Sequence, residues 1–307
     1  MRDQVITTED GFPLTATVFG AGAGPVVIIN AATGVKRQYY RKFADWLASQ
    51  GGIVVTYDYR GIGDSGGERT RQGLRACMRD WALGDAFAVL EWAAKAFPGQ
   101  PITMVGHSFG GQCLGLLKNH DKISRVLLVG AQSGYMGNFP ILGRGRMLLL
   151  WYLLVPVLTR VLGYFPARLF GLGEDLPGGV AREWGRWCRQ PRYLMDDTGP
   201  GLPSYFDRLS APILAYKIAD DSYAPGKSVE QLLGWYSSAP VEMRTIRPED
   251  YGVASIGHFG PFRETFRDSL WKELAFWALG GQRPAQRVVD SSLSRAWPVV
   301  PGQAGSL

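Results

Sequence analysis

Cysteine and histidine are both scarce in this chain of 307 residues, with three of each. Cys77, Cys113 and Cys188 lie far apart, are odd in number and form no C-x-x-C pair. That excludes a disulfide framework and a thiolate zinc site. No H-E-x-x-H or other close histidine pair offers a zinc site either. The opening, Met1 to Asp10, is polar and lacks the apolar stretch of a secretion signal. The longest apolar run, Met147 to Leu158, is broken by Pro156, and a membrane span needs about 18–20 such residues. These absences lead to the expectation of a cytoplasmic protein. Dense basic runs are missing too. Lys and Arg total 33 against 27 Asp and Glu, a net charge of +6, with acids interspersed among the bases around Arg69 to Arg79. An excess so scattered is a solubility feature, which argues against a nucleic-acid partner.

What is present is apolar and periodic: 46% of residues are hydrophobic and 20% charged, enough for a large core and too little charge for a disordered chain. Short apolar runs at Val26–Asn30, Ile53–Tyr57, Ile102–Val105 and Val126–Val129 read as strands buried on both faces. Leu14–Phe19 alternates like a further strand. Helical patterns separate them, around Tyr39–Leu47, over Leu74–Ala96 and over Phe109–Leu117. Strands alternating with helices at this spacing imply an α/β fold with a mostly parallel sheet covered on both faces.

The alternation stops between Gln132 and Arg208, where helical pieces around Met147–Leu162 and Val180–Arg189 stand without a buried strand. It resumes with strands at Ile213–Tyr216 and Val241–Ile246 and helices near Val229–Tyr236 and Phe262–Leu279. Residues 1–131 and 209–279 therefore read as one α/β core and residues 132–208 as a helical insertion. Residues 280–307, rich in Pro, Gly, Ser and Arg, read as a surface-bound or disordered tail.

Three glycine motifs compete for attention. Gly61-Ile62-Gly63-Asp64-Ser65-Gly66 fits G-x-G-x-x-G, but a dinucleotide site needs a helix to start directly at that turn, and here periodicity resumes only at Leu74. The same loop matches G-x-S-x-G around Ser65. A second match, Gly106-His107-Ser108-Phe109-Gly110, joins a buried strand directly to an apolar helix. Its serine would occupy a sharp, strained turn at the carboxyl edge of the sheet, with the Phe109 N–H aimed at an anion forming beside the hydroxyl. Ser108 is thus the nucleophile candidate and Ser65 a turn residue.

A serine hydroxyl needs a base. His107 lies inside the turn, where packing is its expected role, and His120 reads as a solvated helix-end residue. His258, in the glycine-flanked loop Ile256-Gly257-His258-Phe259-Gly260 after the last strand, is the base candidate. The carboxylate that orients it would come from Asp220-Asp221, after the strand Ile213–Tyr216; spacing alone does not choose between these neighbours. The order serine, acid, histidine suits an open α/β sheet.

These residues resemble the α/β-hydrolase superfamily, and within it the serine-aminopeptidase-like branch that includes monoacylglycerol lipases and lysophospholipases. The likeness runs from Val5 to Leu279 and rests on Gly106–Gly110, the loop Tyr57–Ser65, the acid segment and Gly257-His258-Phe259, all in order. It implies an α/β-hydrolase fold with residues 132–208 as a cap. It also implies a triad Ser108, Asp221 and His258, Asp221 being selected because the family's aspartate stands four residues before a proline, here Pro225. The oxyanion hole would use the amides of Phe109 and Ala32, with Ala31 the neighbouring alternative. Asn30-Ala31-Ala32-Thr33-Gly34 replaces the family's usual His-Gly opening at that point. Asp58, Arg60 and Asp64 would order their loop rather than react.

The implied activity is hydrolysis of a carboxylic ester of a small apolar acyl substrate through an acyl-enzyme, with no metal or cofactor required. An acyltransferase with the same triad and a non-catalytic ligand-binding protein on the same fold are the rival readings. Met147 to Leu154 is apolar all round. It reads as a buried cap helix or, alternatively, as an acyl tunnel or a membrane-touching lid flanked by Arg144 and Arg146.

Overall fold

The short, β-branched apolar runs become the centre of an eight-stranded sheet. In the computed structural model, which describes residues 1–197 and 202–281, the strands are β1 (Arg2–Thr7), β2 (Pro13–Phe19), β3 (Val26–Asn30), β4 (Ile53–Tyr57), β5 (Ile102–His107) and β6 (Arg125–Val129), followed by β7 (Tyr164–Phe165), β8 (Leu176–Pro177), β9 (Ile213–Ile218) and β10 (Val241–Ile246). The main sheet runs β1-β2-β4-β3-β5-β6-β9-β10; β7 and β8 form a separate ribbon. β2 pairs antiparallel with β1 and β4, and every other pairing in the main sheet is parallel. β3, β4 and β5 are buried along their whole length, which is why they carry continuous apolar runs. The chain steps from β3 to β4 on one side and returns to β5 on the other. The loops after β3 and β5 therefore flank a crevice at the carboxyl edge, where open α/β sheets bind ligands.

Departures from the expected elements have local causes. β1 was not expected, because only Ile6 of its six residues is buried and an edge strand so polar carries no apolar run. The helix expected from Leu74 begins at Met78, where the Asp80 carboxylate accepts the Cys77 N–H at 2.7 Å. It passes through a π turn, Trp81–Ala86, before the regular stretch Phe87–Ala96. The helix after Ser108 ends at Gln112 and continues only as a 3-10 turn, Leu114–Leu116. The last helix covers Leu270–Ala278, after two separate 3-10 turns.

Between β6 and β9 the described residues add no strand to the main sheet. They form helices Ile141–Leu149, Val155–Leu162 and Gly178–Cys188 besides the β7–β8 ribbon. Pro156 does not break the apolar stretch as expected. A π turn, Leu150–Leu154, widens the backbone just before it, which accommodates a residue without an N–H and relieves its clash with the preceding turn. The helical stretch Gly143–Leu162 is consequently 20 residues long and, by length and composition, apolar enough to cross a membrane. The segment is tied to the sheet-bearing part by polar contacts. Arg79 Nε meets Glu183 at 2.7 Å, Tyr193 Oη donates to Gln112 Oε1 at 2.9 Å, and the Glu174 N–H donates to Gly34 O at 2.8 Å. The expected tail lies, from residue 282 onward, outside the described residues.

Candidate active site

Ser108 follows the last residue of β5 with φ 53° and ψ −118°. Among the described residues only Tyr193 shares a positive φ without being glycine. Strain of this kind costs on the order of 1–3 kcal/mol and persists only where surrounding structure imposes it. The imposing contacts are visible. A Cβ on Gly106 would lie 2.4 Å from Gly111 Cα, and one on Gly110 would lie 2.1 Å from the Asn30 carbonyl oxygen. Both glycines are therefore required for the turn to close against β3. The Phe109 ring is buried edge-on against Tyr59 and Trp81, each 5.7 Å away, and this fixes the residue whose amide opens the helix. Among the described residues no acceptor is bonded to that amide, as expected for the first turn of a helix.

Register then brings the other groups in. The Ser108 N–H donates to Val129 O at the end of β6, and the next residue, Gly130, has φ 58°. A Cβ there would stand 3.2 Å from both Asp221 Oδ2 and His258 Nδ1. Asp221 lies in the turn after β9, and His258 in the loop after β10. His258 Nδ1 and Asp221 Oδ2 are 2.6 Å apart. With Nδ1–H donated to the carboxylate, Nε2 is left as the acceptor. Asp221 Oδ1 accepts the N–H groups of Tyr223 at 2.7 Å and Ala224 at 3.1 Å, so each oxygen of this buried carboxylate has a hydrogen-bond donor. Asp220, its neighbour, points elsewhere. Its two oxygens accept the Ile256 and Gly257 N–H groups at 2.8 and 3.0 Å, which pins the loop carrying His258. The structure thus brings Asp221 and His258 into contact, with Ser108 at the same edge of the sheet but at the end of β5, separated from β9 by β6; among the described residues the Ser108 hydroxyl makes no hydrogen bond.

Ala32, expected as an oxyanion donor, is not free for that task. Its N–H donates to Tyr40 Oη at 3.0 Å. The same hydroxyl lies 2.7 Å from His107 Nδ1. His107 Nε2 faces the His258 carbonyl oxygen at 3.0 Å and so carries the ring proton, which leaves Nδ1 of the neutral ring to accept from the Tyr40 hydroxyl. His107 is fully buried, and burial holds it well below the ordinary histidine value of 6.5 and therefore neutral. Burial also raises the Tyr40 hydroxyl above the usual tyrosine range, which keeps its proton in place. This chain from Ala32 through Tyr40 and His107 to the His258 backbone is the feature that sequence reading missed. The motif pattern gives His107 a packing role and does not single out Tyr40.

The charged residues of the loop after β4 are engaged with one another and with Arg37, Asp85 and Asp10. Buried Asp58 accepts from the Arg37 backbone and guanidinium and from the Asp64 N–H. Arg60 donates to Asp85 and Asp10. Ser65 Oγ donates to Asp58 O and accepts the Thr15 N–H, so this serine of the other G-x-S-x-G match is held in its loop. His120 is half-buried beside Tyr205, with ring centres 5.3 Å apart.

The sequence of residues 24–161 matches the family model for serine aminopeptidase, S33. An uncharacterised Mycobacterium tuberculosis protein is 32% identical over 114 residues, covering 36% of this chain and 38% of that protein. The chain thus matches well under half the length of its curated relatives. Among solved structures, an esterase of Exiguobacterium antarcticum superposes with a TM-score of 0.56 at 14% identity, over 90% of this chain and 99% of that one. A thermostable carboxyl esterase from Bacillus coagulans, solved with glycerol, gives 0.58 at 13% identity, over 90% and 97%. At such identities the likeness speaks for the fold. Sequence match and shared fold point the same way: residues 24–161 are similar to the serine aminopeptidase family, and the chain has the α/β-hydrolase fold of the solved esterases.

Proposed function

We propose that the protein is a serine hydrolase that cleaves carboxylic esters of small, apolar substrates through an acyl-enzyme. The observation that carries the reading is the strained turn at Ser108 together with the Asp221–His258 pair on the same edge of the sheet. In the first half-reaction His258 Nε2 takes the Ser108 hydroxyl proton as Oγ bonds to the substrate carbonyl carbon. The imidazolium so formed is stabilised by Asp221. The tetrahedral intermediate collapses, the ester C–O bond breaks, and His258 returns the proton to the departing alcohol. Water then attacks the acyl-serine by the same route in reverse roles and releases the acid.

Charge builds on the carbonyl oxygen, and the uncommitted Phe109 N–H is the donor placed to meet it. One such donor is worth about 3 kcal/mol in the transition state. The Ala32 N–H reaches that oxygen only by leaving or sharing Tyr40 Oη. The residues 132–208 act as a cap in this reading, and their apolar side chains set the preference for an apolar acyl group.

The test is hydrolysis of p-nitrophenyl esters from acetyl to palmitoyl. The expected result is a rapid release of p-nitrophenolate stoichiometric with enzyme, followed by a slower steady rate, and an optimum at one acyl length. No hydrolysis of any member of the series would overturn the reading. Accumulation of transesterified product when an alcohol is added, in place of free acid, would turn it into an acyltransferase.

A further inference from the structure

The helical stretch between β6 and β9 presents two faces of opposite character. Met147, Trp151, Val155 and Thr159 recur every four residues and turn inward. Trp151 packs edge-on against Trp184 with ring centres 4.9 Å apart. The Thr159 hydroxyl donates to the Val155 carbonyl within its own helix, so that even this polar group makes the inner face no wetter. The outer face should be polar if it met only water. Instead Leu148, Leu149, Tyr152, Leu153, Val157 and Val161 are all exposed, Val161 to 74%. A contiguous stripe of this kind marks an interaction surface rather than a scatter of single exposed residues.

Charge says what covers it. From Ile123 to Gly173 the sequence contains no Asp or Glu, while Arg144, Arg146, Arg160 and Arg168 fall in and beside this helix. Arg168 is paired with Glu174 and Arg144 caps backbone carbonyls. Arg146 and Arg160, at the two ends of the apolar stripe, are exposed and among the described residues have no acidic partner. An apolar stripe bracketed by unpaired guanidiniums and devoid of acids complements the headgroup and acyl boundary of an anionic bilayer.

We propose that the outer face of residues 146–161 docks the protein onto the surface of membranes that carry anionic lipid. The helix lies in the plane of the interface and does not cross it. Crossing would strip Trp151 and Val155 from their contacts on the protein, whereas lying flat keeps the inner face packed and lets Arg146 and Arg160 reach lipid phosphates. This docking is independent of acyl chemistry at Ser108, and Ser108→Ala is expected to bind as the unsubstituted chain does.

The test is flotation of the full chain with vesicles of phosphatidylcholine alone or mixed with phosphatidylglycerol. The protein should float with the mixed vesicles, less with phosphatidylcholine, and less again as salt rises. Leu149→Glu with Leu153→Glu should lower binding by roughly tenfold or more, with an unchanged melting temperature showing that the exposed substitutions leave the fold intact. Arg146→Glu with Arg160→Glu should lower it by roughly fivefold or more on mixed vesicles only. Absence of flotation, or flotation untouched by the leucine substitutions, would overturn the proposal. So would a dimer in solution that the leucine substitutions split and that does not float, since the stripe would then pair two copies of this chain.

Discussion

The Tyr40 hydroxyl stands 2.7 Å from His107 Nδ1 while accepting the Ala32 N–H at 3.0 Å. One oxygen thereby joins the loop after β3 to the residue before Ser108, and through His107 to the backbone of His258. Tyr40→Phe keeps the ring and removes only that junction. The expected outcome is a loss of about 1–3 kcal/mol in urea unfolding, from leaving buried partners unmatched. A fall in kcat of about tenfold or more should accompany it, since small misplacements at a reacting centre are costly. KM should change little, because the hydroxyl touches no substrate. A fall confined to KM would contradict a positioning role.

The same network makes stability depend on pH. His107 is neutral in the fold, with its value held well below 6.5, whereas the unfolded chain protonates it near 6.5. Below that value the unfolded state binds the extra proton. The contribution of His107 is therefore fully present above pH 6.5 and is lost as pH falls below it, with a slope approaching about 1.4 kcal/mol per pH unit. Urea unfolding between pH 7.5 and 5 should show this slope, and His107→Gln should flatten it. Equal slopes in both proteins would show that His107 is not the group responsible.

The adjacent aspartates are expected to separate cleanly. Asp221→Asn deprives His258 Nδ1 of its carboxylate and should lower kcat by about ten-thousandfold, by analogy with the loss of the carboxylate in a serine triad. Asp220→Asn keeps one acceptor for the amides of Ile256 and Gly257 and should cost about 1–2 kcal/mol of stability while leaving most activity. Equal losses of activity would show that the two residues act as a unit.

Gly130 supplies a steric test. Gly130→Ala and Gly252→Ala both place a side chain at positive φ, 58° and 64°, so both should lose about 1 kcal/mol or more of stability. Only the first would press on Asp221 and His258, since nothing lies within 4 Å of a Cβ at Gly252. Activity on p-nitrophenyl acetate should fall in Gly130→Ala and persist in Gly252→Ala. Parallel behaviour of the two variants would remove Gly130 from the site.

The inner strands were legible because burial on both faces demands continuous apolar runs, and Ser108 because strand, tight turn and helix follow one another without a gap. β1 was hidden by its polar edge position. The passage of a helix through Pro156 was hidden because a π turn is a property of backbone geometry with no composition of its own. Asp220 and Asp221 could not be told apart by spacing, since their difference lies in where each side chain points once β9 has ended. The engagement of the Ala32 amide was illegible for a similar reason: Tyr40 reaches it across a turn whose shape no pattern in Asn30–Gly34 announces.

The most direct measurement of the central claim compares the unsubstituted protein with Ser108→Ala, after matching their melting temperatures, on labelling by a fluorophosphonate and on ester hydrolysis. The account expects one label per chain, located at Ser108 and absent from the variant, and a fall in hydrolysis of at least about a thousandfold. Equal hydrolysis by both proteins, or a label that persists in the variant, would contradict it.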